Sequence, residues 1–180
     1  MEIASALQRS SGSAAQAGVS FEELASYITV LSSTTRRSAE TIGESLKTIF
    51  ARMSDLKMGF DVDDGTSISN VEDALSDVGI KLRDSKDSFR DFSDVLQELS
   101  GKWDTLTEVE QANLGKQIAG TRQRELFYVL MTNMDKALEF QEIQTTASGL
   151  ALERYGEYLD GVEASQNRFN ASWEKLAQEA

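Results

Sequence analysis

Apolar residues recur at helical spacing along most of this chain. Ile42, Leu46, Ile49, Phe50 and Met53 step by four, three, one and three, the period of a helix with one buried face. Gly43 falls inside that stretch, where glycine costs about 1 kcal/mol against alanine, so a neighbour is expected to pack closely there. Glu44 and Lys47 lie at i and i+3, with Lys47 facing solvent. Ahead of it, Leu24, Ile28 and Leu31 form a stripe behind Ser20 and Glu23, the two ends of a capping box, with Val19 and Leu24 at the staple positions. Thr34-Thr35 and Arg36-Arg37 separate this helix from the next, which Ser38 caps. A weaker first helix is expected over about residues 2–16, carried by Ile3, Leu7 and several alanines. Ser10-Ser11-Gly12-Ser13 loosens it, and Gly18 ends it.

Downstream, Ser69 and Glu72 form a second capping box, opening a short helix that buries Val71, Leu75 and Val78 and stops at Gly79. Ile80-Lys81-Leu82-Arg83 then alternates apolar and basic, Asp84-Ser85-Lys86-Asp87 supplies a turn, and Ser88-Phe89-Arg90 returns, which predicts a small hairpin. A helix from about Phe92 to Trp103 buries Phe92, Val95, Leu96, Leu99 and Trp103. Thr107 and Glu110 cap another that ends at Gly120, and Thr121 opens one with Leu126, Phe127, Leu130, Met131 and Met134 on one side. No repeat of 20 to 50 residues recurs.

The last segment has a different period. Leu152, Tyr155, Leu159, Val162, Gln166, Phe169, Trp173 and Leu176 alternate steps of three and four, a heptad seam with the polar Gln166 at one core position. Such a seam asks for a partner helix, from this chain or from another copy. The pattern predicts an all-α, multi-helix module with one small β-hairpin near residues 80–90 and a long C-terminal helix. Three parts are expected: an N-terminal helix over 1–18 that continues from a longer chain, a compact helical core over 19–147, and the seam helix over 148–180.

Composition narrows the chemistry. The 180 residues include no Pro, Cys or His, and 30 acidic against 18 basic side chains leave a formal net charge of -12. Absence of Pro suits long helices. Without Cys or His there is no thiolate nucleophile, imidazole base or zinc site of the usual ligands. The acidic balance argues against stable nucleic-acid binding, which depends on Lys and Arg neutralising phosphates. The longest apolar run, Leu126–Met131, is far short of the about 20 residues a membrane span needs.

Candidate sites are few. Asp61, Asp63, Asp64 and Gly65 crowd together, but a calcium loop with Gly65 at its sixth position would need side-chain oxygens at Phe60 and Val62. No metal or cofactor is expected. With 30 acids, some carboxylate pair meets any glycosidase search, and nothing singles one out, so an enzyme is not expected. Arg36, Arg37, Arg52, Arg122 and Arg124 are the notable cations. They suit a docking surface or a transient DNA contact, and equally pairing with nearby carboxylates. Arg122 and Arg124, just after Gly120, could form an anion site with the amides there. Trp103 ends an apolar stripe, which favours core packing; Trp173 lies on the seam.

Several stretches, in order, resemble the core region of phage tail tape measure proteins. They are Ala17-Gly-Val-Ser-Phe-Glu-Glu-Leu24, Thr35-Arg-Arg-Ser38, Ile42-Gly-Glu-Ser-Leu-Lys-Thr-Ile-Phe-Ala-Arg-Met53, Val78-Gly-Ile-Lys-Leu-Arg-Asp84, Phe89-Arg-Asp91, Lys102-Trp-Asp-Thr-Leu106 and Ile118-Ala-Gly-Thr-Arg-Gln-Arg-Glu125. The series covers roughly residues 15–175. The resemblance implies a structural protein of the virion tail, assembled in the host bacterial cytoplasm, that sets tail length, supports tube assembly and takes part in genome delivery. The partners it implies are tail tube and tail tip proteins, tail assembly chaperones and self-association. Members of that family are many times longer, and one unbroken helix of this length would reach only about 270 Å. The chain is therefore expected to be a module of a longer protein. The alternative is an unrelated cytoplasmic helical adaptor that binds a protein through its C-terminal helix.

Overall fold

Caps set where the helices begin. Ser20 Oγ accepts from the Glu23 amide at 3.2 Å, while the Glu23 carboxylate accepts from the Ser20 amide at 2.8 Å. Thr107 and Glu110 repeat the arrangement at 3.3 and 2.7 Å, and Ser38 Oγ accepts from the Thr41 amide. The computed structural model describes residues 3–60, 62–146, 165–172 and 174–175. Its helices are α1 (Ile3–Gln16), α2 (Phe21–Thr34), α3 (Ala39–Lys57), α4 (Ile68–Asp77), α5 (Phe92–Trp103), α6 (Glu108–Thr132) and α7 (Met134–Thr146), and 165–172 is also helical. Strands β1 (Arg83–Ser85) and β2 (Ser88–Phe89) form a two-stranded antiparallel sheet between α4 and α5. The fold is all-α with one small hairpin.

Three local expectations are corrected. The cap of α4 is Ser67, not Ser69, and the box closes through Asn70, whose Oδ1 accepts from the Ser67 amide at 2.9 Å. Glu72 is engaged elsewhere, by the guanidinium of Arg83. The first strand begins at Arg83, not at Ile80; ahead of it Leu82, buried in the core like Ile80, still accepts across the turn from the Arg90 amide at 3.0 Å. Finally, α1 runs unbroken through Ser10-Ser11-Gly12-Ser13. Its serines do not loosen it, since Ser10 Oγ returns a bond to the Ala6 carbonyl at 2.8 Å and both Ser10 and Ser11 are buried.

One apolar core joins the helices. The stripes Leu24, Ile28, Leu31 and Ile42, Leu46, Ile49, Phe50, Met53 are all buried. α1 lies across α3 at Gly43, where an added Cβ would stand 2.8 Å from the Ala6 backbone. Trp103 is buried and makes edge contacts with Phe127 and Tyr128, with ring centres 5.8 and 5.4 Å away. That packing follows from α6 folding back on itself. Gly120 takes φ 72° and ψ 170°, and Gly115 in the first arm meets Tyr128 in the second so closely that a Cβ would lie 2.5 Å from its ring.

The hairpin is held by cations. Arg83 stacks 3.9 Å above the Phe89 ring, with Lys57 Nζ 5.5 Å from the same centre. Lys57 also donates to the Arg90 carbonyl, and burial lowers its pKa. Arg90 in turn bridges Glu98 and the Lys81 carbonyl.

Candidate functional site

Three arginines from distant parts of the chain meet at one face. Arg9 projects from α1, Arg37 from the α2–α3 connection, and Arg122 from the second arm of α6. Together with Glu40, Glu44 and Gln123 they line an open depression of about 500 Å³. Arg9 holds Glu44 at 2.8 Å and approaches Glu40 at 3.9 Å. The hydrogen bond from Arg9, reinforced by Lys47, keeps the Glu44 carboxyl below the usual carboxylate range. Arg37 donates to Glu125 at 2.6 Å, a pair that ties the α2–α3 connection to α6. Surface pairs of this kind contribute little stability each, so their partners are exchangeable.

Of the arginines singled out from sequence, the fold brings Arg37 and Arg122 together and sets the others apart. Arg124 points along the other side of α6, its Cγ beside Gly115, as residues two apart on a helix must. Arg36 is exposed. Among the described residues Arg36, Arg122 and Arg124 make no ion pair or hydrogen bond, which leaves three unneutralised cations on an acidic molecule. Arg9, which completes the face, was not legible as a site residue. The signal available was indirect: Glu40 and Glu44, one helical turn apart, present two carboxylates to whatever crosses α3 there.

Arg52 has a different role. Its side chain is 10% exposed, pairs with Asp64 at 3.0 Å, and donates from Nε to the Gln117 carbonyl at 3.2 Å. Burial pushes the Asp64 pKa up, but hydrogen bonds from Thr66 and Arg52 outweigh it and hold the carboxyl below its ordinary value. The acidic loop is thus organised around a guanidinium. Among the described residues no cluster of acidic, His or Cys side chains is arranged to hold a metal ion, and no helix is long and apolar enough to cross a membrane.

The seam can be followed at two positions. Phe169 is buried, its ring 6.0 Å from that of Phe21 at the start of α2, and Gln166 is half-buried. Ser165, also buried, donates from Oγ to the Ala4 carbonyl at 3.4 Å. Leu152, Tyr155, Leu159, Val162, Trp173 and Leu176 lie outside the described residues, as does most of the expected long C-terminal helix. Residues 1–120, two thirds of the chain, match the family model described as phage-related minor tail protein. No solved structure matches the chain.

Proposed function

This chain belongs to the phage-related minor tail protein family and has a structural role in a phage tail; we propose that it is part of a tape measure protein, which sets tail length and supports tube assembly and genome delivery. The observation that carries this reading is where the ordered motifs fall in the fold. Gly43 lets α1 cross α3, Arg52 and Gly120 make the bend in α6, and Trp103 packs against the second arm of α6. All four lie within the stretches that resemble tape measure cores, and all four carry the architecture.

In this reading the helices form a folding unit of a longer chain, with tail tube proteins, tail tip proteins and assembly chaperones as partners. The face around Arg9, Arg37 and Arg122 is the docking surface, because Arg9 and Arg37 can exchange intramolecular carboxylates for those of a partner. The seam closes on helices of this same chain. Burial of Phe169 against Phe21 supports that. A charge introduced by Leu159→Asp is expected to lower the melting temperature, and an unchanged melting curve counts against the seam.

The deciding experiment is an immunoblot of purified particles with antibody raised against this segment. A band far above the 19.8 kDa of this chain, co-purifying with tails, supports the tape measure reading. A tail-associated band near 20 kDa makes the protein a different minor tail component. A band absent from every particle overturns the tape measure reading.

A further inference from the structure

Arginines on this molecule hold carboxylates. Arg9, Arg37, Arg52, Arg83 and Arg90 pair with Glu44, Glu125, Asp64, Glu72 and Glu98 in turn. Arg122 lines the same depression as Arg9 and Arg37, with Glu40 and Glu44 in its wall, and among the described residues it pairs with none. Its nearest carboxylate along the helix is that of Glu125, three residues on, the spacing at which helix side chains meet. Tertiary packing takes that partner away: Arg37 arrives from the α2–α3 connection and holds the Glu125 carboxylate at 2.6 Å. Glu40 and Glu44 turn to Arg9 instead, at 3.9 and 2.8 Å. The fold therefore leaves one guanidinium open in a depression whose other arginines are occupied.

We infer that Arg122 is the receptor for a single carboxylate of a partner protein, an Asp or Glu side chain standing among uncharged residues. The inference rests on the docking-surface reading above and names what docks there. A guanidinium fork matches a carboxylate with two parallel hydrogen bonds. Arg122 can form them without first displacing an acid of its own chain, which Arg9 and Arg37 cannot. A nucleic-acid backbone suits the depression less well. Its closely spaced phosphates would confront Glu40 and Glu44 along with Arg122, on a molecule whose net charge of -12 already repels them. A polypeptide can offer one carboxylate and keep its neighbours neutral.

The test follows the arginine Nε–H resonances of the unaltered chain by NMR while a capped alanine peptide with one central glutamate is added. A saturable shift is expected at Arg122 and none at Arg124, which leaves the same helix beside Gly115. The same peptide with glutamine in place of glutamate is expected to shift neither. Arg122→Gln, at an exposed position, is expected to weaken peptide binding about tenfold, read at Arg37, with the melting temperature unchanged. No shift at Arg122, equal shifts at Arg122 and Arg124, or unweakened binding by Arg122→Gln overturns the inference. So does a larger response of Arg122 to inorganic phosphate or to a short DNA duplex than to the peptide. The docking-surface reading fails separately: it is lost if a chain carrying Arg9→Glu and Arg37→Glu still enters purified tails normally, whatever Arg122 binds.

Discussion

Glycines at two helix positions make opposite predictions for the same substitution. Gly43 lies where a Cβ would press within 2.8 Å of the Ala6 backbone, which cannot move aside as a flexible side chain would. Gly43→Ala is therefore expected to destabilise by about 1–3 kcal/mol, as overpacked core sites do. Gly101 in α5 has no atom within 4 Å of such a Cβ and no left-handed φ. Gly101→Ala should raise stability by about 0.5–1 kcal/mol through helix propensity. Thermal unfolding of the two variants checks both signs at once. Caps were the most legible feature at this scale, because Ser20–Glu23 and Thr107–Glu110 work entirely within four residues. Ser67 and Ser69 show where legibility stops. Both are placed to cap α4; Ser67 does so with Asn70, while Glu72, the carboxylate that Ser69 would need, pairs with Arg83 eleven residues beyond it. A contact set by tertiary packing leaves no mark in the local sequence.

Among elements, the α3–loop–α6 junction should be the acid-sensitive one. Asp64 has a folded pKa held below its unfolded value of about 3.9. A depressed carboxylate pKa contributes stability above the unfolded value, and that contribution is lost as pH falls through the folded one. The melting temperature of the unaltered protein should therefore exceed that of Asp64→Asn at pH 7, with the gap closing below about pH 4. A gap independent of pH would separate the Arg52–Asp64 contact from acid stability. Thr107→Ala supplies a companion test, with an expected loss of about 1 kcal/mol from the α6 cap. The stripes of α2, α3 and α5 were legible because each buries one face at a regular period. The arginine face was not, since Arg9, Arg37 and Arg122 become neighbours only after α1, α3 and α6 pack. Hairpin position lay between these cases: Ile80 and Leu82 alternate as strand residues do and both are buried, yet regular pairing starts at Arg83, with Leu82 adding one bond from the Arg90 amide.

At the scale of the whole molecule, among the described residues the helix at 165–172 meets α1 through Ser165 and α2 through Phe169. Phe169→Ala removes the ring against Phe21, and limited proteolysis should then cut near residues 165–175 faster, while the buried stripes of α2 and α3 stay protected. Equal cutting rates would mean that Phe169 does not hold this segment. The bond from Ser165 to Ala4 also sets how the molecule answers to tension. Residues 161 positions apart in the chain touch side by side, so a pull applied outward at Ala4 and Ser165 loads that contact directly. Two points that start in contact draw apart only as what joins them gives way.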